Sequence, residues 1–153
     1  MADDAKPDLA AAHRHFSANC FNEVWGLLDK GDRTRREDQR MIELAHASIW
    51  HWTQRDDCTD INLSIGYWQA SRVYAVLGMT DEARRYGELC LAFSEKAPPF
   101  YLGYAHEALA RAASVAGDRE TAADHLAAAR AAAESVTDEE SRKMLLDDLE
   151  TIG

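Results

Sequence analysis

From residue 8 to residue 152, apolar residues recur at intervals of three and four, broken only by short polar or glycine-containing segments. That is the period of amphipathic helices. Nothing alternates with period two over a useful length, so no strand is predicted. Seven helices follow. The first spans about 8–30, after Pro7 and up to Gly31, with Leu9, Phe16, Cys20, Val24 and Leu27 facing one way. The second opens on Thr34, Arg35, Arg36 and Glu37, a capping box in which Thr34 and Glu37 satisfy each other's amides. Its inner stripe is Met41, Ala45, Ser48 and Trp52. The polar break at 55–58 leads to Thr59, the expected cap of a third helix carrying Leu63, Tyr67, Ala70, Tyr74 and Leu77 and ended by Gly78. Thr80 is the expected cap of the fourth, which carries Ala83, Tyr86, Cys90, Phe93 and Ala97 before Pro98 and Pro99 stop it. The fifth and sixth flank Gly117, and the sixth buries Ala122, His125, Ala129, Ala132 and Val136. The seventh is expected from Thr137, with Glu140 closing another capping box and Leu145, Leu149 and Ile152 beside Met144 as its apolar side. One apolar face and one charged face is what the last element of a helical array needs.

The helices repeat. Leu63, Tyr67, Ala70, Tyr74 and Leu77 return 39 residues later as Leu102, His106, Leu109, Ala113 and Ala116; Arg72 returns as Arg111, Gly78 as Gly117 and Ala83 as Ala122. Short connections make successive helices antiparallel neighbours. The chain therefore reads as one all-α domain of stacked hairpins, at about 8–55, 59–97 and 99–136, with a cap at 137–152. In the first hairpin Gly31 stands where Gly78 and Gly117 stand in the others.

Tyr67, Ala70, Ser71, Tyr74, Ala83, Cys90 and Pro98 in one copy, with His106, Leu109, Ala110, Ala113, Ala122, Leu126 and Ala129 in the next, resemble the tetratricopeptide repeat, a helix-turn-helix unit of about 34 residues. The pattern is also similar to that of small bacterial helical-repeat proteins. The period here is longer, Gly87 occupies the place of the family's second-helix aromatic, and His106 replaces the first-helix one. The resemblance implies a short right-handed solenoid. It also implies a concave groove lined by the first helix of each hairpin, where such scaffolds hold peptides.

Phasing the chain on the three glycines gives that groove a content. One inward row is Trp25, Arg72 and Arg111, the next Phe21, Trp68 and Glu107, the third Ala18, Ile65 and Tyr104, with Asn22 and Gln69 beside them. Arginine offers a planar fork to a carboxylate or phosphate, and Trp and Tyr offer flat area with a donor at the edge. The binding candidates are Asn22, Trp25, Trp68, Arg72, Tyr104, Glu107 and Arg111. The same residues have a structural reading, since Glu107 lies four residues before Arg111 and can also bridge to Arg72. If both arginines share it, one positive charge is left over for an anionic group.

Charge and composition narrow the partners. A net charge of −10 opposes phosphate-backbone binding, and residues 118–153 concentrate the acidity, with ten acidic and four basic residues. Neither nucleic acid nor a membrane is expected as a partner, and no apolar run approaches the roughly 20 residues of a membrane span. The polar start of the chain does not read as a signal peptide, so the cytoplasm is the expected location. Cys20, Cys58 and Cys90 are too widely spaced for a zinc site or disulfide framework, and Cys90 reads as a small core residue.

Metal and catalytic motifs are weak. His13 and His15 are two apart and His46 and His51 five apart, neither a chelating spacing on a helix, so no metal or other cofactor is expected. His46, between Ala45 and Ala47, reads as a hydrogen-bonded core histidine. Phosphate-loop, dinucleotide-fold and serine-hydrolase motifs are missing from the sequence. The expected function is therefore non-enzymatic: a scaffold whose groove takes a peptide or protein partner presenting a carboxylate near Arg72 and Arg111. The alternative is a small-molecule sensor or minor enzyme with an enclosed pocket where His46, Trp68, Tyr104, Glu107 and Arg111 converge. Trp50 and Trp52 point to different sides of their helix, so one of them is free to make a homodimer contact.

Overall fold

A computed structural model of the chain describes residues 5–153, and all its regular elements are helices. They are α1 (Leu9–Leu28), α2 (Arg35–Thr53), α3 (Asp60–Val76), α4 (Thr80–Ser94), α5 (Pro99–Val115), α6 (Arg119–Glu134) and α7 (Glu139–Glu150). Helices α1 and α2, α3 and α4, and α5 and α6 pair as antiparallel hairpins. The hairpins stack through α2 on α3, α4 on α5 and α3 on α5, and α7 closes the array against α5 and α6.

The turns explain the regular part of the repeat. Gly78 and Gly117 have φ of 72° and 78°, the left-handed region where a side chain is strained. In both, the glycine amide bonds back to the C2 carbonyl (Ala75, Ser114) and the following amide to the C3 carbonyl (Tyr74, Ala113), closing a Schellman motif. Gly31 differs, since its φ is not positive. The end of α1 is capped by a side chain instead: Arg33 Nη1 donates to the carbonyls of Leu27, Leu28 and Lys30. The first hairpin thus turns over a longer connection and is not in strict phase with the other two.

Capping also departs locally from expectation. The Thr34–Glu37 box is present, with Thr34 Oγ1 accepting the Glu37 amide and Glu37 the Thr34 amide. Thr80 lies inside α4 rather than capping it. At α7 the cap is Asp138, whose carboxylate accepts the Ser141 amide at 2.8 Å, so the helix starts one residue later than Thr137 would set it. An ionised acceptor at a helix N-terminus also meets the positive end of the macrodipole.

Three clusters hold the stack together. Val24, Met41, Ala45, Ile49, Ala70 and Val73 join the first two hairpins. Tyr74, Ala75, Ala83 and Ala112 join the second and third. Ala129, Ala133, Leu145 and Leu149 anchor α7. Ile49 takes the buried place expected for Trp52, which stays half-buried beneath the Arg55 guanidinium, 3.8 Å from its ring. At Gly87 α5 comes too close for a side chain: a Cβ there would stand 2.8 Å from Leu109 Cδ2. Small residues at these contacts set how tightly the hairpins nest.

Candidate functional site

Helices α1, α3 and α5 present one aromatic face. Trp25 packs on Trp68 with ring centroids 5.5 Å apart, Trp68 on Tyr104 at 5.4 Å, and Tyr104 on Phe100 at 5.0 Å. The expected rows are therefore diagonal. Trp25 meets Trp68 rather than Arg72, a shift of one helical turn that follows from the different turn of the first hairpin. Between the second and third hairpins the phase holds: Trp68 and Glu107, 39 residues apart, are bonded directly.

Glu107 is wholly buried. Its Oε2 accepts the Trp68 indole N–H at 2.8 Å. Its Oε1 accepts Arg72 Nη2 at 3.1 Å and Arg111 Nε at 2.8 Å, with Arg111 Nη2 also 2.6 Å away. Arg111 Nη2 reaches on to the Asp148 carbonyl and to Thr151 Oγ1 on the last turn of the chain. The space among Trp68, Ser71, Arg72, Glu107 and Arg111 has no room for a water molecule. Arg72 Nε is buried with no acceptor, the one such side-chain nitrogen or oxygen among the described residues. These contacts link α3, α5 and the C-terminal turn.

Beside it lies a cavity of about 390 Å³, lined by Trp25, Ser64, Ile65, Trp68, Phe100, Tyr101, Tyr104, Met144 and Asp148. Ser64 is committed to the interior through a 2.7 Å bond with Ser94 Oγ. Tyr104 Oη–H donates to Asp148 Oδ2 at 2.6 Å. Burial first, then that bond, hold the Tyr104 proton far more tightly than in an ordinary phenol. Met144 stands at the rim, 53% exposed.

Of the expected residues, Trp25, Trp68 and Tyr104 meet in the cavity, and Arg72, Glu107 and Arg111 meet behind it. Asn22 is elsewhere, on a shallow cleft with Phe21, Trp52 and Asn62. His46 does not join them, which corrects the enclosed pocket that required it. Its Nε2 bonds Tyr74 Oη at 2.8 Å and its ring meets Tyr86 at 5.2 Å, on the α2–α3–α4 side. It is the hydrogen-bonded histidine the sequence suggested, and burial lowers its pKa. Trp50 is 55% exposed at the far edge, beside His13 and His51.

Sequence reasoning missed Phe100, Tyr101, Met144 and Asp148. Phe100 and Tyr104 are four apart on α5, and Met144 and Asp148 four apart on α7, so each pair shares a helix face. Reading α7 only as a cap hid that its other face borders a cavity.

Two histidine pairs also escaped notice. His13 and His51 join α1 to α2 through Nδ1 atoms 2.8 Å apart, and His106 and His125 join α5 to α6 at 3.0 Å. The second pair occupies the repeat positions of Tyr67 and Tyr86, whose rings stack 6.0 Å apart one hairpin earlier. Among the described residues no three histidine, cysteine or acidic side chains gather as a metal site. The three cysteines are free, and burial pushes the Cys90 thiol up to about 11, away from nucleophilic use. No described helix is long and apolar enough to cross a membrane. Comparison with known protein families, curated proteins and solved structures finds no match.

Proposed function

We propose that the protein is a non-enzymatic binding module that takes a peptide segment of a protein partner across the face of α1, α3 and α5, with one side chain seated in the aromatic cavity. The observation that carries this is the cavity itself: about 390 Å³, walled by rings from α1, α3 and α5 and by Met144 of α7. Binding pockets are mostly apolar with a few placed polar groups, and this volume is at the small end of their range. It suits one anchoring side chain better than a large cofactor. The stacked-hairpin architecture supports the same reading, because helical repeats resembling the tetratricopeptide type present extended surfaces for peptides.

An enzymatic reading has less support. The titratable groups on the cavity wall are Asp148, Tyr101 and Tyr104, and the Tyr104 proton is held tightly by its surroundings. His46, expected in the enclosed pocket of that reading, faces Tyr74 instead. A partner carboxylate at Arg72 and Arg111 also has less support than the cavity, since both guanidinium groups are drawn onto Glu107.

Random-peptide display on the immobilised protein tests the proposal. The wild-type chain is expected to select a consensus that Met144→Trp loses, because the larger ring fills the rim without entering the core. Arg84→Ala, a change on the exposed surface of α4, keeps it. Selection of no consensus, or one that survives Met144→Trp, contradicts the proposal.

A further inference from the structure

The cavity wall carries one charge that no cation answers. Asp148 is in no ion pair among the described residues; its Oδ2 accepts a neutral phenol, and its Oδ1 accepts no hydrogen bond among them. The cations around it are committed elsewhere. Arg72 and Arg111 hold Glu107, Lys143 holds Asp147 and Arg130 holds Glu150. Arg111 does reach Asp148, but at its backbone carbonyl, 3.3 Å away, and not at its carboxylate.

The rings beside that carboxylate do not stack. Trp68 and Tyr104 meet at 80°, Phe100 and Tyr104 at 70°, and Phe100 and Tyr101 at 85°. Rings in this arrangement form the adjoining walls of a box. Aromatic faces are negative and attract a cation within about 6 Å, and a carboxylate adds a full charge to that attraction. A neutral apolar occupant would use the walls but strip water from Asp148 with nothing in return. An anion would be repelled. Asp148 and Glu107 both strengthen the Tyr104 phenol's hold on its proton, and Arg72 opposes them less. On the larger scale, the net charge of −10 draws cations towards the molecule.

Resting on the peptide-binding reading above, we propose that the cavity is an alkylammonium site: its occupant is a lysine side chain on a basic segment of the partner, free or N-methylated, paired with Asp148 and packed among Trp25, Trp68, Phe100 and Tyr104. This names an occupant opposite in charge to the carboxylate that the two arginines suggested from sequence.

Titration of the full chain with choline and with its neutral isostere 3,3-dimethylbutan-1-ol, followed by calorimetry, tests the charge. Choline is expected to bind about tenfold more tightly than the alcohol, as a desolvated cation–aromatic contact backed by a carboxylate implies. Asp148→Asn should remove most of that preference, since the amide oxygen still accepts the Tyr104 hydroxyl but carries no charge. Should that variant fail to fold, the preference of the wild-type protein decides alone. A Gly-Ser peptide with a central trimethyllysine should outbind the same peptide with norleucine by a similar factor. Equal binding of choline and the alcohol overturns the ammonium site and leaves the peptide reading standing. Binding of choline without the lysine peptide overturns the peptide source. Binding of neither cation overturns the inference, whereas a display consensus lost in Met144→Trp would still uphold the peptide reading by itself.

Discussion

Glu107 decides what its two arginines can do. A carboxylate with no solvent exposure is stable only if its charge is answered, and here two guanidinium groups and an indole N–H answer it. Removing both cations would leave a buried charge without compensation. Arg72→Ala with Arg111→Ala is therefore expected to cost about 3–5 kcal/mol of stability, read from urea denaturation. A loss below about 1 kcal/mol, the worth of a surface pair, would show that the trio is not structural. The sequence placed these three residues together correctly, because helical spacing and the 39-residue repeat bring them into phase. It could not decide between an open anion site and a closed ion-pair network, because that depends on the last ångström of packing between α3 and α5.

At the scale of the element, the three inter-helix glycines look alike in sequence and differ in backbone. Gly78 and Gly117 sit at positive φ, Gly31 does not, and a Cβ would find open space at each. Sterics thus cancel and conformation alone separates them. Gly117→Ala is expected to lower stability by about 1 kcal/mol, while Gly31→Ala is expected to be neutral or to stabilise by a few tenths. Thermal denaturation of the two variants checks this, and equal losses would contradict it. The helices themselves were legible because their periodicity is unbroken and their stops are marked by glycine or proline. The register of α1 was not, since Arg33 replaces glycine chemistry at its end and a long side chain capping three carbonyls leaves no short motif. That hidden shift is why Trp25 meets Trp68 and not Arg72. Helix α7 shows the other limit. Its buried Leu145 and Leu149 were plain from their spacing, but its second face, with Met144 and Asp148, acquires meaning only once Phe100 and Tyr104 are seen across the gap.

Over the whole molecule, histidines join neighbouring helices, and burial lowers the pKa of His46, His51, His106 and His125. A lowered folded pKa means the unfolded chain binds more protons at intermediate pH. The stability these groups contribute is complete above the unfolded value near 6.5 and is lost as pH falls through the folded values. Two imidazolium rings 3 Å apart would also repel. The urea midpoint is expected to fall between pH 7.5 and pH 5.5, and the double variant His106→Asn with His125→Asn to flatten that fall. The helix-capping carboxylates Asp118 and Asp138 have lowered pKa values too, so their contribution is lost only at more acidic pH and does not confuse the window. A midpoint that does not move would contradict the assignment.

In the proposed binding mode the partner engages the cavity between α1, α3, α5 and α7. Four tryptophans make it measurable: Trp25 and Trp68 line that cavity, while Trp50 lies at the opposite edge and Trp52 on the neighbouring cleft. The most direct measurement is the ¹H–¹⁵N spectrum of the indole N–H groups during titration with a display-selected peptide. The Trp25 and Trp68 signals are expected to move with the bound fraction while Trp50 stays still. Movement of Trp50 with Trp25 and Trp68 unchanged would contradict the account and place binding on the α1–α2 edge instead.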